Sequence, residues 1–309
     1  MEPHISVLLK EAIDGLDIKP QGIYLDGTVG LGGHSYEIAK RLDGGRLIAI
    51  DRDNRALEYA RNRLKDYDDR ITYVHANFAE SVQVLDKLGI DKIDGALYDF
   101  GVSSPQIDGD AARGFSYAHD NDLDMRMDET QSLTARDVVN TWSESELRKI
   151  LYEYGEERYA PQIARAIVRR REDKPIETTF ELSDLIRSAM PAKALREKQH
   201  PAKRSFQSFR VATNSEFQAI EEMLATIPDR LNVGGRICAI SFHSLEEVRV
   251  KSAFMQRVNG CKCPRDYPCV CGFKPTLRLI TKKPIVPTAE EIEQNPRSRS
   301  AKLRIAERI

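Results

Sequence analysis

The sequence predicts an α/β fold of the doubly wound type that is interrupted by a helical insertion. First, residues 23–51, IYLDGTVGLGGHSYEIAKRLDGGRLIAID, read as a strand, a glycine-dense turn, a helix and a second strand, which is a βαβ unit. Second, about a hundred residues from Gly109 onward carry helical periodicity with almost no strand signal, and strand-like runs return after them. We therefore expect a parallel sheet whose two parts flank an inserted helical domain.

The glycine-dense turn indicates a ligand that contains a nucleoside. Gly32 and Gly33 let the backbone turn close to a ligand, and Asp51 ends the next strand, where it can accept hydrogen bonds from ribose hydroxyls. The turn has no Lys or Arg and lacks the last glycine of G-x-G-x-x-G, while Asp26, Asp51 and Asp99 end three strands around it. Negative charge of this kind favours the cationic S-adenosylmethionine over a pyrophosphate. A glycine turn without a ligand is the structural alternative.

The composition is that of an ordinary globular chain. It has 309 residues, 41% of them apolar and 31% charged, which is enough for more than one domain. No run approaches the roughly 18 apolar residues of a membrane helix, and residues 1–16 are amphipathic and acidic, unlike a signal peptide. The sequence therefore predicts a cytoplasmic protein without a membrane partner.

The net charge of −1 hides an uneven distribution. Residues 158–210 hold thirteen Lys and Arg against six Asp and Glu, and residues 249–309 hold fourteen against five. Such segments suggest a basic face for a polyanion beside an acidic part that holds the cofactor. Scattered, solvated side chains are the alternative, because sequence does not show whether the two segments share a face.

Three later strand ends carry candidate site residues. Phe78 follows the third strand, where it could stack on adenine or pack in the core. Asp99 ends the fourth strand, where it could accept a hydrogen from an exocyclic amine or cap a turn. The polar loop after Asp99 could orient that amine through Ser103, Ser104 and Pro105. His243 follows the fifth strand, where it could handle a proton or be a structural histidine.

The end of the predicted insertion combines basic and aromatic residues. Its basic residues are Lys193, Arg196, Lys198, His200, Lys203, Arg204 and Arg210. Basic side chains can contact phosphates, and Phe206 and Phe209 could stack on unpaired bases. A basic loop with two core Phe residues is the equally compatible alternative.

Four cysteines crowd into residues 261–271, CKCPRDYPCVC, as two C-x-C pairs. They are Cys261, Cys263, Cys269 and Cys271. Four thiolates can hold a structural zinc ion and stabilise a loop that has no core of its own. Because C-x-C is less typical than C-x₂-C, reduced thiols or a redox-labile pair are the alternative. We expect no catalytic metal.

Long motifs along the chain match those of one known family. They include DGTVGLGGHS, DGALYDFGVSSPQID, LDMRMD, HPAKRSFQSFRVATN, GGRICAISFHSLE and NPRSRSAKLRIAER. Together they resemble the ribosomal RNA small subunit methyltransferase H family, also called MraW. The resemblance implies a class I S-adenosylmethionine-dependent methyltransferase with a Rossmann-like seven-stranded sheet. We expect its core in residues 1–108 and 208–309, and a helical substrate-recognition insertion in residues 109–207.

The resemblance also implies a reaction, which is N4-methylation of a cytidine in the decoding region of 16S rRNA in the small ribosomal subunit. Carried onto this sequence, the cofactor contacts are Gly32, Gly33, His34, Asp51, Phe78, Asp99 and Gln106. The catalytic candidates are Asp99, Ser103, Ser104, Pro105 and His243. Where the family commonly has FHSLEDRIVK, this chain has FHSLEEVRVK, so Arg249 is displaced by one position. An NAD-dependent oxidoreductase and a non-catalytic rRNA-binding assembly factor are the alternatives.

Overall fold

The computed structural model describes residues 6–101, 113–264 and 270–309. The chain divides into two compact units, one formed by residues 1–101 and 217–309 and the other by residues 102–216. The first unit contains the sheet. In the described part of the second unit, the regular structure is helical apart from one isolated bridge between Asp122 and Thr178.

The first unit is built on a seven-stranded sheet. Its strands are β1 (Ile23–Asp26), β2 (Arg46–Asp51), β3 (Ile71–His75), β4 (Ile93–Asp99), β5 (Leu231–Ser241), β6 (Leu277–Leu279) and β7 (Lys302–Arg308). They lie in the order β3-β2-β1-β4-β5-β7-β6, in which β1 to β5 are parallel and β7 is antiparallel to both neighbours. This confirms the predicted Rossmann-like seven-stranded sheet.

The helices begin and end as follows in the described residues. They are α1 (Leu9–Leu16), α2 (Gly33–Ala39), α3 (Asn54–Arg63), α4 (Ser81–Lys87), α5 (Ala135–Thr141), α6 (Glu144–Gly155), α7 (Ala160–Asp173), α8 (Thr179–Ala189), α9 (Lys203–Asn214), α10 (Glu216–Thr226), α11 (Ser244–Asn259) and α12 (Ala289–Gln294). No helix among them is long and apolar enough to cross a membrane.

The order in which strands are added to the sheet reverses between the parallel neighbours β1 and β4. From β1 the chain continues outward to β2 and β3, whereas β4 is followed on its other side by β5. The strands are runs of apolar residues, and Leu25 in β1, Ile48 in β2 and Ala96 in β4 are fully buried. In a parallel sheet a reversal of this kind opens a crevice at the carboxyl ends of the strands. The ends of β1 and β4 are therefore the expected position of a ligand site.

The second unit packs its helices around an apolar core that includes Leu147, Ile163 and Phe209, all fully buried. Thr134, Ser143 and Thr178 start α5, α6 and α8 as N-caps, each accepting a hydrogen bond from the backbone N–H three residues on. Such caps satisfy backbone donors that the first turn of a helix leaves unpaired.

The second unit ends at a break between two helices. α9 ends at Asn214, Ser215 adopts a left-handed backbone with φ of 50°, and α10 begins at Glu216. Arg210 donates two hydrogen bonds of 2.8 Å to the Glu216 carboxylate across this break. This fork-like pairing fixes the break geometrically. The predicted end of the insertion at residue 207 falls within α9, and the compact helical unit extends to Glu216.

Candidate functional site

Asp26 ends β1 as a fully buried carboxylate that the chain's own donors occupy. Its Oδ2 accepts a 2.6 Å hydrogen bond from the Ser35 hydroxyl, and its Oδ1 accepts one of 3.2 Å from the backbone N–H of Thr28. Ser35 lies in the first turn of α2, so the bond ties the start of that helix to the end of β1. Asp26 therefore shapes the turn rather than presenting a bare carboxylate.

The glycine turn brings backbone close to the neighbouring segment. Gly30 and Gly32 have φ of 52° and 76°, in the left-handed region that favours glycine. A Cβ on Gly33 would come within 1.9 Å of the Ser6 hydroxyl, which no side chain could tolerate. The turn consequently needs glycine both for its conformation and for its close approach to residue 6.

Asp51 lies at the end of β2 and accepts two backbone hydrogen bonds. Its Oδ2 accepts from the N–H of Gly30 at 2.8 Å, and its Oδ1 accepts from the N–H of Asp53 at 2.8 Å. Each oxygen keeps a second lone pair that can accept a ribose hydroxyl. The structure thus brings the predicted acidic residue to the predicted glycine turn.

Both carboxyls have a raised pKa. Removal from water raises the pKa of Asp26 to about 6, although hydrogen bonds from Ser35 and Thr28 oppose that shift. Removal from water likewise raises the pKa of Asp51 to about 6. A positively charged ligand would stabilise the ionised forms, whereas a pyrophosphate would disfavour them.

Asp99 ends β4 and differs from both. Its backbone N–H donates to Thr28 Oγ1 at 2.6 Å, which fixes the strand end against the turn after β1. Its carboxylate Oδ1 is buried and accepts no hydrogen bond from any residue that the structure describes. The pKa of Asp99 is raised to about 8, mainly by removal from water and to a lesser extent by repulsion from the nearby carboxylates of Asp26 and Glu246. A buried acceptor without a donor is costly unless a ligand supplies one.

His34 stands beside Asp99 at the start of α2. Its Nδ1 is 4.0 Å from Asp99 Oδ2, and its Nε2 is 3.1 Å from the backbone carbonyl oxygen of Val7. The imidazole is buried, with 5% of the residue exposed. The contact with Val7 fixes the ring orientation, so that Nδ1 faces the Asp99 carboxyl.

Phe78 lies just after β3 but belongs to an aromatic cluster. Its ring centroid is 6.0 Å from that of Tyr98 and 5.5 Å from that of Phe100, and 9% of the residue is exposed. These contacts support the core-packing alternative for most of the ring. Contact between its remaining edge and an adenine stays a prediction.

His243 immediately precedes α11 and is paired with an acid that sequence reasoning missed. Its Nε2 is 2.8 Å from Oε1 of Glu246, which is 1% exposed. Glu246 Oε2 accepts a 2.7 Å hydrogen bond from the backbone N–H of Phe242. Glu246 also contributes to the raised pKa of Asp99. This acid therefore interacts both with His243 after β5 and with Asp99 at the end of β4. The spacing of His243 and Glu246 at a helix start is a signal that could have identified the acid.

Four predicted site residues lie outside the described residues. They are Ser103, Ser104, Pro105 and Gln106. Their roles as amine-orienting loop and cofactor contact stay predictions from the sequence.

The residues that are described fit an S-adenosyl group. Asp51 lies against the glycine turn through its bond to the N–H of Gly30 and provides acceptors for ribose. Oδ1 of Asp99 provides an acceptor for an N–H that none of the described residues supplies. The other oxygen of this carboxylate, Oδ2, lies 4.0 Å from Nδ1 of His34.

The basic exit of the helical unit separates into exposed and structural residues. Lys193, Arg196, Lys198 and Lys203 are exposed and can contact phosphates. Arg210 is engaged by Glu216, and the His200 ring stacks on Tyr117 at a centroid distance of 4.2 Å. Phe206 and Phe209 are 3% and 0% exposed, so the burial supports core packing, one of the two alternatives that the sequence left open. Their spacing of three residues on α9 places both in the helical core.

A family model described as the MraW methylase family matches residues 1–309. The chain is 54% identical over 308 residues to the ribosomal RNA small subunit methyltransferase H of Lachnospira eligens, covering 99% of this chain and 98% of that protein. It is 51% identical over 308 residues to the protein of the same name from Clostridioides difficile, covering 99% of each. In three dimensions it is similar to a crystal structure of an rRNA methylase from Streptococcus thermophilus, with a TM-score of 0.45, 12% identity and 99% of each chain covered.

Proposed function

We propose that this chain, which belongs to the MraW methylase family, methylates the N4 amine of a cytidine in 16S rRNA. Family membership makes the chain an S-adenosylmethionine-dependent methyltransferase, as the sequence predicts. Its relatives carry the name ribosomal RNA small subunit methyltransferase H, which supports 16S rRNA as the substrate. The atom that is methylated, the residues that act on it and the use of the assembled small subunit as substrate are our proposal.

The orphaned Oδ1 of Asp99 is the observation that carries this proposal. An exocyclic amine presents N–H groups that need an acceptor, and Oδ1 is a buried acceptor with no partner among the described residues. A carboxylate at this position can accept one amine hydrogen and so orient the nitrogen. The alternative in which Asp99 merely caps a turn accounts less well for a buried oxygen that caps nothing described.

The chemical task of the protein is to make a weak nucleophile reactive. The lone pair of the cytosine amine is conjugated with the ring, so the amine must rotate for the lone pair to point at a methyl group. Asp99 would hold one N–H while the amine turns, and after transfer it would accept the proton that the nitrogen loses. S-adenosylmethionine supplies the methyl group from its sulfonium, and the C–S bond breaks as the N–C bond forms.

The other crevice residues would bind and position the donor. Asp51 would accept the ribose hydroxyls, the turn at Gly32 and Gly33 would lie against the ligand, and Phe78 would contact the adenine. His34 would keep the Asp99 carboxyl in place through its Nδ1. His243, held by Glu246, would stand at the end of β5 beside the entering base.

The RNA would be held partly through charge. The exposed residues Lys193, Arg196, Lys198 and Lys203 supply positive charge from the helical unit, which suits phosphate contacts. A cytidine must leave its stack to reach a buried carboxyl, so we expect a flipped-out or single-stranded nucleotide as the target. With such a substrate the enzyme would act in the cytoplasm, where ribosomal subunits are made.

The decisive test is to identify the product made on ribosomal subunits. Small subunits that lack the modification would be incubated with the protein and S-adenosylmethionine, and their nucleosides analysed by mass spectrometry. We expect N4-methylcytidine with the wild type and none with Asp99→Ala. Asp91→Ala, which removes an exposed carboxylate just before the same strand, should retain full activity.

Other outcomes would contradict parts of the proposal. Methylation at a ring carbon or a ribose would refute the assigned atom, and unchanged methylation by Asp99→Ala would remove Asp99 from the reaction. Calorimetric binding of NAD without binding of S-adenosylhomocysteine would refute the assigned cofactor. Tight binding of subunits without any methyl transfer would instead support the assembly-factor alternative.

A further inference from the structure

We propose that the segment between α11 and β6 binds a zinc ion through the thiolates of Cys261, Cys263 and Cys271. The three sulfur atoms all lie within 4.8 Å of one another. None of these residues contributes to the crevice described above, so the site would be structural and separate from methyl transfer. A fourth cysteine of the motif, Cys269, lies outside the described residues, and the proposal does not depend on it.

The spacing of the sulfur atoms suits a metal better than a disulfide. Cys261 Sγ and Cys271 Sγ are 3.6 Å apart, far beyond the roughly 2.05 Å of an S–S bond. Zinc–sulfur bonds of about 2.3 Å in tetrahedral geometry place two sulfurs about 3.8 Å apart, the edge length of the tetrahedron. The observed separation already matches that edge, so an ion would require little movement of this pair.

The backbone around the cysteines adds a contact that suits a thiolate ligand. The N–H of Val270 points to Cys263 Sγ, with a nitrogen–sulfur distance of 3.4 Å. A hydrogen bond from the backbone to a ligating sulfur stabilises its negative charge and orients it. Lys262 and Lys274 are exposed in the same segment and partly balance the excess negative charge that three or more thiolates bring to a divalent ion.

The described residues of this segment are irregular in structure. Its described residues between Asn259 and Leu277 form no helix or strand, and Val270 is 89% exposed. The ends are joined, because the N–H of Thr276 donates to the carbonyl oxygen of Arg257 at 3.0 Å. An ion that linked Cys261 and Cys263 to Cys271 would close a smaller loop within this one. Short segments of this kind commonly depend on a metal for their structure.

The metal content of the full chain tests the proposal. Protein produced without a metal-binding tag would be dialysed, and its zinc measured by mass spectrometry; we expect about one ion per chain. Replacement of zinc by Co²⁺ should produce a thiolate-to-cobalt charge-transfer band and the intense visible bands of a tetrahedral site. The cobalt spectrum uses wild-type protein, so it remains informative even if a variant fails to fold.

Variants provide the matched comparison. Cys263→Ser should lower the zinc content at least about tenfold, because it removes a ligand rather than a supporting contact. Cys238→Ala is the control, since Cys238 is a reduced, buried cysteine in β5 and its loss should leave the zinc content unchanged. Circular dichroism of both variants would show whether each keeps its helical and strand content.

The result that would overturn the proposal is equally specific. Wild-type protein with no stoichiometric zinc and no thiolate–cobalt band would refute it. A disulfide between Cys261 and Cys271 in freshly purified protein, seen as a loss of two hydrogen masses in the linked peptides, would also refute it and identify the pair as redox-active.

Discussion

The two halves of the crevice differ in how many hydrogen bonds their carboxylate oxygens accept from the protein. In the half formed by β1 and β2, backbone or hydroxyl donors of the protein occupy both oxygens of Asp26 and of Asp51. In the half formed by β4 and β5, Oδ1 of Asp99 accepts no hydrogen bond from the described residues. Among the described residues, the carboxylates of the first half have all their oxygens occupied, whereas Asp99 in the second half lacks a donor that a substrate can bring. Satisfied acids therefore hold the cofactor turn in shape, whereas the unsatisfied acid is the one placed for chemistry.

The largest difference between the two halves should appear when one acid from each is changed to its amide. Asp99→Asn should lower kcat by roughly a thousandfold, because the amide cannot take up a proton as the carboxylate can. Asp26→Asn should change kcat little, since the amide oxygen can accept from the N–H of Thr28 while the amide NH2 donates to the Ser35 hydroxyl oxygen. Single-turnover methylation of small subunits measures both rates. Equal losses in the two variants would show that the two halves do not differ in role.

The pH dependence should separate the halves next. Because the pKa of Asp99 is raised to about 8, kcat/KM should rise on the order of tenfold per pH unit from pH 6 to 7 and level off above 8. Asp99→Asn should abolish this dependence at its lower rate. The comparison uses initial rates in buffers of constant ionic strength.

The raised pKa of Asp99 can also be tested through the pH dependence of folding stability, which does not require a measurement of activity. A folded pKa above the unfolded value means that Asp99 contributes stability below about pH 4, and that this contribution is lost as the pH rises through 8. The thermal midpoint of ligand-free wild type should therefore fall between pH 6 and 8 more than that of Asp99→Asn. Parallel curves for the two proteins would contradict the raised pKa.

A smaller effect is expected at the ribose-binding acid. Asp51→Ala should weaken S-adenosylhomocysteine binding by roughly 10- to 150-fold, because it removes a charged acceptor worth roughly 1.5–3 kcal/mol in hydrogen bonds. Isothermal titration calorimetry measures the change. Asp69→Ala, at an exposed site before β3, serves as the control and should bind like the wild type.

The smallest effect should come from a supporting contact. Ser35→Ala removes the hydroxyl that donates to Asp26 Oδ2 and should lower the free energy of unfolding by about 1–3 kcal/mol, with kcat nearly unchanged. Denaturant titration measures the loss. Ser188→Ala, on the exposed side of α8, should leave stability within about 0.5 kcal/mol of the wild type. A large drop in kcat for Ser35→Ala would mean that the first half also takes part in chemistry.

Sequence was sufficient for the strands and for the acids that end them. An apolar run that stops at an aspartate marks both the strand and its last residue, which is why Asp26, Asp51 and Asp99 were all located. The parallel order that brings these ends together follows from the βαβ pattern. The antiparallel β7 fits the strand-like run near the end of the chain.

Contacts between residues far apart in sequence could not be predicted from the sequence pattern. The pairing of Thr28 with the backbone of Asp99 depends on β1 and β4 being neighbours, and the influence of Glu246 on Asp99 depends on β4 and β5 being neighbours. The sequence left the role of Phe206 and Phe209 open for another reason, since aromatic residues among basic ones are compatible with both stacking on bases and core packing. Only the packing of α9 separates these two possibilities.

The parallel pairing of β4 with β5 has a consequence for how the protein folds. Asp99 and Ile240 are partners in that pairing, although the whole helical unit lies between them in the chain. Contacts within helices form locally and quickly, whereas a pairing over so long a separation must wait for a large loop to close. The helical unit should therefore acquire protection from hydrogen exchange early during refolding, and the amides bonded between β4 and β5 should be protected late. Catalytic competence would then arise in the last stage of folding, when the strand that carries Asp99, which also pairs with β1, gains β5 as its second neighbour.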